Sequence, residues 1–401
     1  MSHIEVVEGS EAVALAVKAC HPQVISAYPI SPQTHIVERL AKFAADGELE
    51  AEYVRVESEF SAASVVSGAA AAGARSYTAS SSQGLLLMTE VIYASAGMRL
   101  PFVITGVNRA VSAPISIQID HQDAMSLRDS GIIQIYVESS QEAYDAHIAA
   151  FKVAEDPQIL LPVMVCMDGW ILTHCYERVS FLKQEEVDSF LPPFKPVNYL
   201  DVDDPKTWGS YADDDVLLEF KYSIHEAMQR GKERIREIFK ELSALTGRDH
   251  GGLIEAYRVE DAEVILVALG SVAGTAKDAV DELRARGKRV GLVKIRCYRP
   301  FPYEDIWEAV KGAKVVAVME ACFSMGSEGP VGMDVKAKLC GRPGAPLVID
   351  FVAGLGGRDI NKGTIAGIVE KAESVLKTGA PLWEPCWVAL NPAILPEEVP
   401  A

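Results

Sequence analysis

Short apolar runs alternating with longer segments of helical period set the rhythm of the first 190 residues. Gln23–Tyr28, Ser76–Ser80, Pro101–Val107, Gly131–Val137 and Leu161–Met167 read as strands. Between them, Pro32–Phe43 places Ile36, Val37, Leu40 and Phe43 on one face of a helix. Glu57–Gly73 predicts a second helix, unusual in carrying Ala, Ser or Gly at most positions. Strands alternating with helices imply a parallel sheet covered on both faces.

From Phe190 to about Asp215 the pattern breaks into Pro-rich and Asp-rich text, the composition of a solvated connector. A long amphipathic helix, roughly Val216–Leu245, follows it. A second α/β unit then opens with the apolar run Ala262–Gly270. Helix Thr275–Arg286, strands Val290–Ile295, Val315–Met319 and Pro346–Phe351, and a closing helix Ile365–Leu376 complete it. The segment from Pro381 to Ala401 has no periodicity and is expected to lie extended over a neighbouring surface. At 401 residues the chain is too long for one hydrophobic core, so two or three domains are expected.

A composition of 49% hydrophobic and 23% charged residues is that of an ordinary globular protein. The formal charge of -18 speaks against nucleic acid, because phosphate binding needs a basic face. Met1–Gly9 has no apolar core of a signal peptide, and no stretch is long and apolar enough to span a membrane. A cytoplasmic location is expected, with no membrane partner. The seven cysteines are scattered and never spaced as CxxC, so neither a disulfide framework nor an iron–sulfur cluster within this chain is expected.

Three stretches carry chemistry. In AYPISPQT a strand ends, and Ser31 is expected to cap a helix that has Pro32 at its first position. Such a helix start favours anions, although taken alone Ser31 need do no more than cap. In ITGVNRAVSAP, Arg109 follows an apolar strand. A guanidinium at the C-terminal end of a parallel strand stands where α/β folds bind ligands, and its fork matches a carboxylate. Otherwise it is an ordinary loop arginine. Glu59 opens the small-residue helix, either to answer the helix dipole or as a carboxylate entering a close interface, where it needs a designated partner. Gly326-Ser-Glu-Gly and Gly354-Leu-Gly-Gly fit neither GxGxxG nor a phosphate loop with its lysine, and read as tight turns.

Together these stretches form a longer pattern. YPISPQT, VESEFSAASVVSGAAAAGA, TASSSQGLLLM, GVNRAVSAP, DHQDAMSLRDSG, RPFP and FVAGLGGRD occur in this order between Tyr28 and Asp359. Nearly the whole chain thereby resembles the alpha subunit of the multi-chain 2-oxoacid:acceptor oxidoreductases of the pyruvate synthase type. The resemblance implies an α/β fold: a thiamine-diphosphate-binding-type parallel-sheet domain over residues 1–250, including the connector and long helix, then a transketolase C-terminal-like α/β domain over 255–378, with an extended tail over 379–401.

Tyr28, Pro29 and Glu59 would touch the cofactor, with Glu59 matching the glutamate that hydrogen-bonds the aminopyrimidine ring. Ser31, standing where most relatives have Thr, and Arg109 would meet the substrate carboxylate. The implied reaction is oxidative decarboxylation of a 2-oxoacid, pyruvate first, to acyl-CoA and CO2. Coenzyme A is the implied co-substrate, and ferredoxin or another carrier the electron acceptor.

The Gly-Asp-Gly…Asn signature that binds the diphosphate and Mg2+ has no good counterpart; Asp168-Gly169 is the nearest. A beta subunit is therefore expected to hold the diphosphate and Mg2+, and a ferredoxin-like delta subunit the [4Fe-4S] clusters. A gamma subunit and a flavin- or NAD-binding subunit are further expected partners. Where relatives usually have Trp, this chain has Ile132. If that side chain faces the site, the pocket is wider and an aromatic 2-oxoacid such as phenylglyoxylate, with NAD as final acceptor, becomes the alternative. A non-catalytic scaffold of the same two domains is another, as is the pyrimidine half of a transketolase or 2-oxoacid dehydrogenase.

Overall fold

The computed structural model describes residues 3–379 and 384–395. The chain opens with β1 (His3–Glu8) and α1 (Gly9–Ala19). It continues through β2 (Val24–Ala27), α2 (Thr34–Ala45), β3 (Glu52–Arg55), α3 (Glu59–Ala71), β4 (Ser76–Ser80), α4 (Ser82–Leu87) and α5 (Thr89–Gly97). Next come β5 (Val103–Asn108), α6 (Gln122–Met125), β6 (Ile133–Tyr136), α7 (Ser140–Glu155), β7 (Val163–Asp168), α8 (Ile171–His174), β8 (Tyr176–Phe181), α9 (Gln184–Phe190) and α10 (Leu217–Thr246). The second half contains β9 (Ile254–Tyr257), β10 (Val264–Ala268), α11 (Val272–Ala285), β11 (Val290–Ile295), β12 (Cys297–Arg299) and α12 (Tyr303–Val310). It ends with β13 (Val315–Glu320), α13 (Pro330–Leu339), β14 (Leu347–Val352), α14 (Lys362–Thr378) and β15 (Cys386–Trp387).

Two main sheets result. One has seven strands in the order β12-β6-β7-β5-β4-β2-β3, the other six in the order β15-β14-β13-β10-β11-β9. Every pair is parallel except β12 with β6 and β9 with β11. β5, β7, β11 and β13 are buried along their whole length, which is why they carry near-continuous apolar text and no alternation. A small antiparallel pair, β1 with β8, stands apart. In α10 the buried positions Ala227, Gly231, Ile235, Ile238, Phe239 and Leu242 keep the helical period, and Gly247, at φ 70°, ends the helix in the left-handed cap that glycine adopts without penalty.

Two expectations differ from what is seen. The step near residue 250 does not separate the sheets cleanly, since β12, in the second half, adds to the first sheet beside β6. A three-residue strand has too little periodicity to reveal its partner. Part of the segment expected to be an extended tail lies outside the described residues, but Cys386–Trp387 pairs with β14 and so extends the second sheet.

Charge also joins the two halves. Glu142 on α7 accepts from Lys294 Nζ at 2.6 Å and Arg296 Nε at 2.8 Å, both on or just after β11. Burial alone would raise this carboxyl, but Lys294 and Arg296 overcome that and hold it at about 2.

His147 on α7 is enclosed between Thr105 and the Ala143 carbonyl. Burial pushes its imidazole down to about 4 from 6.5, partly opposed by the Ala143 bond. A basic group depressed in the fold takes up its proton first in the unfolded chain, so stability is lost as pH falls from about 6.5 towards 4. The expected loss is on the order of 3 kcal/mol for His147, and His250, also pushed down to about 4, acts in the same sense. Denaturant midpoints at neutral and mildly acid pH should converge in His147→Gln relative to the wild type; an identical acid loss in both would locate the sensitivity elsewhere.

Candidate active site

Four loops converge at the C-terminal edge of the first sheet. They follow β2, β3, β4 and β5. The chain leaves β2 towards β3 on one side, whereas β4 leads to β5 on the other. Loops that depart in opposite directions leave a crevice between β2 and β4, the place where open parallel sheets bind ligands.

Each loop delivers a side chain. Ser58 caps α3, accepting from the Ser61 amide at 3.3 Å, and so sets Glu59 in the first turn. The Glu59 side chain is buried at 8% exposure, and among the described residues it forms no hydrogen bond or ion pair. The small residues expected to permit close approach do so from α4: a Cβ on Gly84 would collide with Ser80 Oγ and stand 2.7 Å from Glu59 Oε1. Arg109, after β5, is also buried. Its Nη1 donates to the Ser31 carbonyl at 2.5 Å and its Nη2 to Gln83 Oε1 at 3.3 Å, while Nε has no partner among the described residues. Burial pulls the guanidinium pKa down, and the negative charges of Asp123 and Glu59 pull it back. Among the described residues, Ser80 Oγ, Ser81 Oγ and Gln33 Oε1 are likewise buried without a partner. Unpaired buried polar atoms are costly and rare, and here they gather at one crevice.

Ser31 is exposed, but it does not cap α2. The helix begins at Thr34, and the cap position is Gln33, in helical geometry and without a side-chain cap bond. Residues 31–33 form a turn, held at Ser31 by Arg109 and at Gln33, whose Nε2 donates to the Tyr28 carbonyl at 2.9 Å. The bond from distant Arg109 and the local bond of Gln33 hold this turn in place of a Ser31 cap, and among the described residues the Ser31 hydroxyl forms no hydrogen bond. Tyr28 and Pro29 are exposed on the same turn.

Ile132 is not brought to this group. Its side chain is fully buried in the core that also contains Ala124, Leu127 and Tyr136, at the entry to β6. The expected wider pocket required this side chain to face the site; here it packs as a core residue at the start of the strand.

Asp123, unremarked within DHQDAMSLRDSG, proves to be the hub of the loops. Its carboxylate accepts from the amides of Ser82 at 2.8 Å, Ala124 at 2.7 Å and Arg109 at 3.2 Å, and from Asn108 Nδ2 at 2.8 Å. Burial still pushes it up to about 6 against those donors. Only its place inside a quoted motif marked it, since a single buried carboxylate leaves no periodic trace. Asp168, the nearest match to a diphosphate motif, is spoken for. It accepts from His121 Nε2 at 2.7 Å and from the Ser271 amide and hydroxyl at 2.7 and 2.6 Å, tying β7 to the start of α11.

The arrangement sets the Arg109 guanidinium and the Ser31 turn beside the buried Glu59 carboxylate. The profile described as pyruvate flavodoxin/ferredoxin oxidoreductase, thiamine diphosphate-binding, matches residues 15–240, and that of pyruvate:ferredoxin oxidoreductase core domain II matches 262–365. Pyruvate synthase subunit PorA of Methanosarcina barkeri is 51% identical over 93% of this chain and 94% of its own length. The PorA of Methanothermobacter thermautotrophicus is 50% identical over 92% and 96%. Ketoisovalerate oxidoreductase subunit VorA of Pyrococcus horikoshii is 42% identical over 94% and 95%. Among solved structures, the 2-oxoglutarate:ferredoxin oxidoreductase from Magnetococcus marinus shares the fold with a TM-score of 0.68 at 22% identity, over 92% of this chain and 65% of that one. A split-gene transketolase shares it at 0.54 and 14%, over 92% and 99%.

Proposed function

The chain belongs to the pyruvate flavodoxin/ferredoxin oxidoreductase family as an alpha-type subunit, and from that premise we propose that it contributes the pyrimidine half of a thiamine diphosphate site that oxidises pyruvate to acetyl-CoA and CO2. The observation that carries this reading is Glu59, a buried carboxylate that among the described residues has no partner, close to the unpaired Ser80 hydroxyl and to a buried arginine. Those groups fit an aminopyrimidine ring, which offers both donors and acceptors.

When bound, thiamine diphosphate supplies a carbon nucleophile for the 2-oxo group and a sink for the electrons released on decarboxylation. Glu59 would hold a proton against the ring, with Tyr28 and Pro29 flanking it. Arg109 and Ser31 would clamp the substrate carboxylate. Asp123 holds the β4 and β5 loops so that Arg109 stays in register. The division into a pyrimidine-binding unit over 1–250, a second unit over 255–378 and a tail belongs to the same proposal.

Diphosphate, Mg2+ and the [4Fe-4S] clusters are assigned to partner subunits of the beta, gamma and delta kind, with ferredoxin as electron acceptor and coenzyme A as acyl acceptor. Exposed Phe60, Leu86 and Leu87, beside Glu59 in α3 and α4, are the apolar rim such a partner would cover. The aromatic-substrate alternative rested on Ile132, and with Ile132 buried it has no observation behind it.

Calorimetry tests the half-site directly. The isolated chain, with Mg2+ present, should show no micromolar affinity for thiamine diphosphate, whereas the assembled complex should. Micromolar binding by the isolated chain would end the shared-site reading.

A further inference from the structure

Away from the crevice floor, three segments distant in sequence bring together Glu8, His35 and His174. One ligand atom from each lies within 4.8 Å of the others. Glu8 ends β1, His35 lies in the first turn of α2, and His174 closes α8. His35 Nδ1 already meets Glu8 Oε1 at 2.8 Å, and the two imidazole rings stand 4.8 Å apart, centre to centre.

His174 is prepared in a further way. Its Nδ1 is engaged by Thr173 Oγ1 at 2.7 Å, which leaves Nε2 as the nitrogen open to a cation. Thr173 is itself buried, and its hydroxyl also accepts from the Trp170 amide at 3.1 Å. The Trp170 ring stacks on the His174 imidazole at 4.1 Å and 17°. Hydrogen bonding at one ring nitrogen and packing against one face fix the direction of the other nitrogen, as the outer shell of a metal-bound histidine does.

We infer that Glu8, His35 and His174 form a site for one first-row divalent cation of the zinc class. Two imidazoles and a carboxylate are the donor set of open three-ligand zinc sites, with water in the fourth position. That set is too hard for Cu(I) and too rich in nitrogen for Mg2+ or Ca2+. Tetrahedral ligands at zinc lie roughly 3.2–3.5 Å from one another. The Glu8–His35 contact would open slightly and the His174 ring would close in, and the exposure of His35 allows this.

The ion would act as a staple. Gly169, just before Trp170, packs against Pro32, its Cβ position lying 3.3 Å from Pro32 Cγ. A cation at Glu8, His35 and His174 would therefore fasten β1 and α8 to the base of the turn that carries Ser31. This role is independent of the assignment of Glu59.

The full-length chain, stripped with chelator and titrated with Zn2+ by calorimetry, should take up one ion with a dissociation constant of about 1 µM or tighter. Its melting temperature should rise with Zn2+. Thr173→Val should weaken uptake by about 10–100-fold, and His35→Gln or His174→Gln by more than that. Co2+ added to the unmodified chain should give weak visible bands of nitrogen and oxygen ligation. A strong near-ultraviolet thiolate band would place the ion on a cysteine, with Cys175 and Cys340 the exposed ones, and overturn the assignment. Absence of stoichiometric uptake, or uptake unchanged in both histidine variants, would overturn it equally.

Discussion

In the assembled enzyme, Glu59→Gln is expected to leave the cofactor bound while slowing hydrogen–deuterium exchange at its C2 carbon by on the order of 100-fold or more, the scale of lost acid–base assistance. The substitution suits the question because the amide keeps the volume of the carboxylate. Gly84 and Ser80, which approach Glu59 most closely, therefore keep their packing. The start of α3 is capped by Ser58 and not by Glu59, so the helix should form unchanged. What the amide lacks is a carboxyl group that can hold a proton and share it with the ring nitrogen. Exchange measured by NMR after acid quench separates this step from later decarboxylation and electron transfer. A wild-type exchange rate would reduce Glu59 to a residue that answers the helix dipole.

Arg109→Ala should lower kcat/KM for the 2-oxoacid by about 2–5 kcal/mol, the scale for truncating one side of a desolvated charge pair. That is roughly 30- to 4000-fold at 1.4 kcal/mol per tenfold. Arg109→Lys should restore only part of it, because an ammonium cannot present the paired fork. Arg109 also holds the Ser31 carbonyl, so some of the loss comes from a loosened turn. Ser31→Ala separates the two contributions, since it keeps that carbonyl and removes only the hydroxyl. Steady-state kinetics unchanged in Arg109→Ala and Arg109→Lys alike would return the residue to the status of a loop arginine.

The sequence by itself determined the class of fold and the family. Strands buried on both faces must be written mostly in apolar residues, as β5, β7, β11 and β13 are apart from isolated positions such as Asn108, Asp168, Lys294 and Glu320, and helices between them must carry the 3.6-residue period. Those are local constraints, so each segment reports its own state. Glu59 was legible for the same reason, a carboxylate at the head of a helix made of small residues. Tertiary structure decided what depends on several segments at once. Ser31 had every local mark of a cap, yet bonds from Arg109 and Gln33 hold residues 31–33 in a turn and start the helix at Thr34. Ile132 could be placed in the core only once β6 had a sheet to enter. β12 is too short to announce its partner, and it finds one in a sheet built from the other half of the chain. Asp123, and the meeting of Glu8 with His35 and His174, depend on loops that converge only after the sheet has formed. Local propensity fixes elements within a few residues, whereas a site of this kind is assembled from strand ends far apart in the chain, and only packing brings those ends together.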